Sequence, residues 1–101
     1  MSNNPDVTLA TDNTICVRGL LDLHSVGRYR TAAARLFDDL PEIVLDLEET
    51  EAKGSAAVAL LISLQREALR AGKNIEFRNA PDSILSIADA CGVKEIIPFS
   101  T

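Results

Sequence analysis

Ile43-Val44-Leu45-Asp46-Leu47, a polar stretch over residues 48–54, and Ser55-Ala56-Ala57-Val58-Ala59-Leu60-Leu61 decide the fold of this chain. The first segment opens as an apolar run without alternation, the pattern of a central strand covered on both faces. Beyond the polar loop, Ala57, Leu60, Leu61, Leu64, Ala68 and Ala71 recur at spacings of three and four. That is one stripe of a helix over residues 55–71, which Gly72 stops. Ser55 stands where loop becomes helix, so its hydroxyl can cap free backbone N–H groups.

Upstream, residues 7–9 and 14–17 are short runs rich in β-branched side chains, separated by Asp12-Asn13, and read as a hairpin. Val26, Tyr29, Ala33, Leu36, Phe37 and Leu40 share a helical face over residues 25–40, with Ser25 as N-cap and Pro41 beyond the end. Downstream, residues 74–78 alternate like a strand. Pro81 and Asp82 begin a third helix whose Ile84, Ile87, Ala88 and Cys91 share a face, and Gly92 ends it. Residues 93–99 form an apolar tail broken by Pro98, either extended or a short helical turn. Parallel strands need helical crossovers, so the order hairpin, helix, strand, helix, strand, helix predicts an α/β fold with a mixed sheet flanked by helices.

A length of 101 residues fits a single domain spanning residues 1–101. Ten Lys and Arg against fifteen Asp and Glu give a net charge of −5, with the basic residues scattered along the sequence, so nothing marks a nucleic-acid partner. The longest apolar run, residues 56–62, is far short of the roughly twenty residues of a membrane span. The polar start, residues 1–6, lacks a signal pattern, which implies a cytoplasmic protein. Cys16 and Cys91 read as small buried thiols rather than a disulfide or zinc site.

No enzyme's constellation emerges from the residues. His24, the only histidine, has Asp22 nearby, and one imidazole with one carboxylate is not a ligand set. Glu48, Glu49 and Glu51 read as solvated loop charges without a nucleophile beside them. No glycine-rich phosphate loop is present, and no cofactor is implied. Two features stand out instead. A phosphate on Ser55 would face the positive end of the second helix. Val58, Ile62 and Leu69 lie about 100° to 140° round from Ala57, on the side where Ser55 projects. That flank is either covered by the chain's own elements or a docking surface.

Those residues also carry a family resemblance. Residues 17–22, Val-Arg-Gly-Leu-Leu-Asp, resemble the G-x-L-D opening of STAS domains, the fold of anti-sigma-factor antagonists and of the cytoplasmic tails of anion transporters. Residues 43–47 resemble the family's V-L-D-L strand, and residues 54–61 stand where it has D-S/T-x-G-L-A-L-L. Residues 72–81, with Ile87-Ala88 and Gly92-Val93, are similar to its G-x-x-L-x-L-x-N-x-P … L-A-x-x-G-V ending. The run Val58-Ala59-Leu60-Leu61-Ile62-Ser63-Leu64-Gln65-Arg66-Glu67-Ala68 and the bare length are most similar to the MlaB-type group.

The resemblance implies a non-catalytic cytoplasmic subunit. It would bind the ATPase of a phospholipid-transport ABC system, support its assembly and activity, and sit at the inner membrane only through that partner. It implies that Ser55, with Gly54, lies in the ATPase contact. The alternative it implies is an anti-sigma-factor antagonist whose Ser55 is phosphorylated by a partner kinase. Gly54 stands where the family usually has an acid, and Ala57 where it has glycine. The first departure weakens the switch more than the docking role. A carrier using the groove between sheet and helices is a more distant alternative.

Overall fold

The computed structural model describes residues 4–100; Met1, Ser2 and Asn3 of the polar start, and Thr101, lie outside the described residues. Strands β1 (Asp6–Leu9) and β2 (Ile15–Leu21) form the hairpin, turned by Asp12 and Asn13, with the Ala10 N–H donating to the Thr14 carbonyl at 2.9 Å. Helix α1 (Val26–Ala34) crosses to β3 (Ile43–Ala52), and α2 (Ala56–Arg70) crosses to β4 (Ile75–Arg78) before α3 (Asp82–Ala90). The sheet order is β1-β2-β3-β4, antiparallel in the hairpin and parallel thereafter, so β3 is interior and the fold is α/β with a mixed sheet.

Burial along β3 alternates, which corrects the expectation of a strand covered on both faces. Ile43, Leu45 and Leu47 are buried, while Val44 and Asp46 are half-buried on the opposite, open face of the sheet. The buried side chains of β2, β3 and β4 join those of all three helices in one core, with Phe77, Ile15, Leu61 and Ile84 at its centre. β3 also runs five residues beyond Leu47, through residues read from the sequence as a loop. The ladder to β2 steps from Cys16↔Asp46 to Arg18↔Glu49, so β3 carries a β-bulge. The bulge turns Glu48 and Glu49 both outward and returns Thr50 to the interior, where its hydroxyl donates to the Leu47 carbonyl at 2.7 Å.

The first helix is shorter than its apolar spacing suggests. α1 ends at Ala34, and a 3₁₀ turn (Phe37–Asp39) follows, held by the Lys73 ammonium donating to the carbonyls of Phe37 (2.5 Å) and Asp38 (3.2 Å). Its start differs too. Ser25 occupies the N-cap position but makes no side-chain cap bond. Instead its hydroxyl accepts from the Asp22 N–H (3.0 Å) while the Asp22 carboxylate accepts from the Ser25 N–H (3.0 Å), a reciprocal capping box one turn earlier.

α2 and α3 close in Schellman turns, the Lys73 N–H reaching the Ala68 carbonyl (2.9 Å) and the Val93 N–H the Ala88 carbonyl (3.0 Å). Ala71, expected in the core stripe, is exposed as the C-cap of α2. The tail contains both forms that its sequence allowed. Residues 93–97 make a helical turn, after which Phe99 bridges β4 beside Phe77, ring centroids 6.3 Å apart. The cysteine reading is corrected as well, since Cys16 is half-buried on the open face and Cys91, the C-cap of α3, is exposed.

Candidate functional site

The β3–α2 junction is tied down on both sides. The Lys53 N–H donates to the Leu21 carbonyl at the end of β2 (3.0 Å), and the Ala52 N–H donates to the Ser83 hydroxyl of α3 (3.2 Å). Between these anchors and the helix stands Gly54, at φ +77° with open space where a Cβ would be. Backbone conformation rather than packing therefore selects glycine here, and Asn or Asp are the residues that best tolerate this region otherwise.

Ser55 follows at the N-cap position, with φ −78° and ψ −5°. Those angles are helical rather than extended, and the hydroxyl makes no cap bond. This overturns the reading of Ser55 as a helix cap, because capping oxygens reach the N2 and N3 donors from an extended N-cap backbone. The side chain is exposed, at the end of a 15-residue helix.

The apolar surface adjoining Ser55 is not the flank singled out in the sequence. Val58 is 3% exposed and belongs to the core. It lies on the side of α2 whose Gln65 donates to the Ile96 carbonyl (3.1 Å), and that side turns towards α3 and the tail. Ile62 is half-buried against the core, whereas Leu69, 70% exposed, stands one residue from the far end of the helix. The three residues therefore do not form one exposed strip.

On the opposite side of α2 a groove of about 400 Å³ opens between the starts of the two crossover helices. Leu23 and Val26 form one wall, Ala56 and Ala59 the other, and Lys53 and Ser55 the rim. Leu23 is 79% exposed, the largest value among the described large apolar residues. Sequence reasoning missed it because it stands in a loop, where no periodicity applies. The available signal was a leucine held between Asp22 and Ser25 by the capping box. The small side chains of Ala56 and Ala59 keep the groove open.

The remaining candidates disperse. His24 is exposed, and only its backbone N–H meets Asp22 (2.9 Å). Glu49 accepts from the Arg18 guanidinium at 2.9 Å on the open sheet face, an exposed pair that raises the arginine's pKa further. Glu48 and Glu51 are exposed on β3. Among the described residues no group of three or more His, Cys, Asp or Glu is placed to hold a metal ion. Among them, too, no helix is long and apolar enough to cross a membrane. The indentation beside Arg18, Asp46 and Glu49 is only about 30 Å³, room for about one water.

Set against known structures, this architecture is that of anti-sigma factor antagonists. SpoIIAA in its unphosphorylated form superposes with a TM-score of 0.69 at 19% identity, covering 96% of this chain and 88% of that one. The phosphorylated form of SpoIIAA, a Bacillus cell-fate determinant, gives 0.65 at 19% identity over 96% and 91%. A Thermotoga maritima protein provisionally assigned as an anti-sigma factor antagonist gives 0.72 at 8% identity over 96% and 86%. At these identities the likeness is one of fold. No curated protein sequence matches the chain significantly. Residues 8–98, from the hairpin to the tail, match the family described as "Mlab, STAS domain", and the chain belongs to that STAS domain family.

Proposed function

We propose that the chain is a non-catalytic, cytoplasmic STAS subunit that binds the ATPase of a phospholipid-transport ABC system through the groove and Ser55, and supports that system's assembly and activity. The subunit reaches the inner membrane only through this partner and contributes to outer-membrane lipid homeostasis. The observation that carries the reading is the match of residues 8–98 to the MlaB-type family. What supports its placement is an exposed hydroxyl, engaged in no cap, at the lip of a groove walled by Leu23, Val26 and Ala59. A partner hydrogen bond to Ser55 would cost the helix nothing it already has.

Phosphorylation of Ser55 within an anti-sigma-factor system, with a kinase as partner, is the second reading. The likeness to SpoIIAA in both its phosphorylated and unphosphorylated forms favours keeping it. A phosphate there would meet the first N–H groups of α2.

Co-purification with the ATPase, together with the intact mass of the protein from its native host, separates the two. The first reading expects stable capture of the ATPase and an unmodified chain. It also expects Ser55→Thr to bind, Ser55→Ala to lose about 0.5–1.5 kcal/mol, and Ser55→Asp to fail. A substantial phosphorylated fraction, or undiminished binding by Ser55→Asp, would overturn it.

A further inference from the structure

The basic residues are scattered in sequence but not in space. α1 with its C-cap carries Arg28, Arg30 and Arg35, α2 carries Arg66 and Arg70, and Lys53 lies on the groove rim, all exposed. Glu67 is the single carboxylate of the two helices, and it already has two partners, Arg30 at 3.9 Å and Arg70 at 3.5 Å. Six cations against one carboxylate give this layer +5, leaving four cations against fourteen carboxylates, or −10, for the rest of the molecule. Asp22 and Glu51 flank the layer on the groove side, and Asp38 and Asp39, exposed in the 3₁₀ turn after Arg35, flank its other end; the Asp22 carboxylate is engaged by two backbone N–H groups, and Glu51 lies on β3.

The concave apolar groove thus opens within a basic field on an otherwise acidic protein. We infer that this face docks an acidic protein surface: a helix that inserts an apolar side chain between Leu23 and Ala59 and sets carboxylates against Arg66, Arg70 and Lys53. Arginine suits that task, since its planar fork matches a carboxylate bidentately. Charge complementarity of this kind steers encounter and fixes orientation. An anionic membrane fits less well, because one protruding leucine gives little apolar area to insert and the rest of the molecule carries −10.

The inference rests on the docking reading above and sharpens its partner, so the test uses probes that separate the two. Isotope-labelled protein is titrated, with amide shifts as readout, against four probes. These are the purified ATPase, a helical peptide with a leucine stripe flanked by glutamates, the same peptide with lysines for glutamates, and vesicles of equimolar phosphatidylethanolamine and phosphatidylglycerol. The glutamate peptide is expected to move the amides of Leu23, Ala59 and Arg66, and the lysine peptide to leave them in place. Arg66→Glu with Arg70→Glu is expected to weaken ATPase binding about tenfold or more, as is raising salt from about 50 to about 300 mM. Arg18→Glu on the open sheet face should leave it unchanged.

If the glutamate peptide binds and the ATPase does not, the transport-subunit reading falls and the acidic-partner inference stands. If the ATPase binds but charge reversal has no effect, the inference is overturned and the subunit reading stands. Equal binding of the lysine peptide, or shifts at the groove produced by the vesicles alone, would also overturn it.

Discussion

Replacing Gly19 by Ala should destabilise the domain well beyond the usual cost of a surface glycine. Gly19 lies in β2 at φ +116°, and a Cβ there would run into the Tyr29 hydroxyl. That hydroxyl is the end of a side chain only 8% exposed, and it donates to the Arg18 carbonyl at 2.5 Å, so it has little room to move aside. The backbone strain alone amounts to about 1–3 kcal/mol. Displacing the hydroxyl adds about 0.5–1.5 kcal/mol for the lost hydrogen bond. The sum, about 1.5–4.5 kcal/mol, corresponds to a fall in melting temperature of at least about 6 °C in a domain of this size.

Gly54→Ala is the comparison, because φ is again positive but no atom lies within 4 Å of the new Cβ. It should cost about 1–2 kcal/mol. Thermal and urea melts of Gly19→Ala, Tyr29→Phe and the double variant isolate the collision. Tyr29→Phe removes the oxygen that the added methyl group would strike, so the double variant should be more stable than the sum of the singles by about 1 kcal/mol. Strict additivity, or a Gly19→Ala loss no larger than that of Gly54→Ala, would refute the argument.

Val58→Glu should unfold the domain by burying an unpaired carboxylate, whereas Ala59→Glu, one residue along, should melt within about 0.5 kcal/mol of wild type and abolish ATPase capture. Asp22→Ala removes half of the capping box and should cost about 1 kcal/mol, read by chemical denaturation. Asp12 is held below the usual carboxylate range, first by the Thr14 backbone N–H and then by the Thr14 hydroxyl. A depressed folded-state pKa means that the ionised form stabilises the hairpin turn above the unfolded carboxylate's pKa. That contribution should fade as pH falls through the folded value, and carboxyl-detected NMR titration should place Asp12 below the ordinary aspartate value.

The crossover helix α2 was legible because a stripe at spacings of three and four survives any context that buries one face, and Ala57, Leu60, Leu61, Leu64 and Ala68 are all buried. The second half of β3 was hidden by its bulge. Two consecutive outward glutamates break the period of two that identifies a strand, and only the returning Thr50 betrays it. The flank of Val58, Ile62 and Leu69 was misjudged because helical geometry fixes which residues share a side of α2 but not which of them the rest of the chain covers; Val58 is 3% exposed and Leu69 70%. The groove was invisible for a related reason. Its walls come from two helix starts about thirty residues apart in sequence, and its exposed Leu23 lies outside any periodic element. The basic face likewise required the topology that lays α1 beside α2.

Hydrogen exchange of the protein alone and bound to the ATPase puts the central claim to the most direct test. The account predicts new protection at residues 22–27 and 53–60, the two groove walls, with the open sheet face at Arg18, Asp46 and Arg78 unchanged. Protection confined to that sheet face or to α3, with both groove walls exchanging as freely as before, would contradict it.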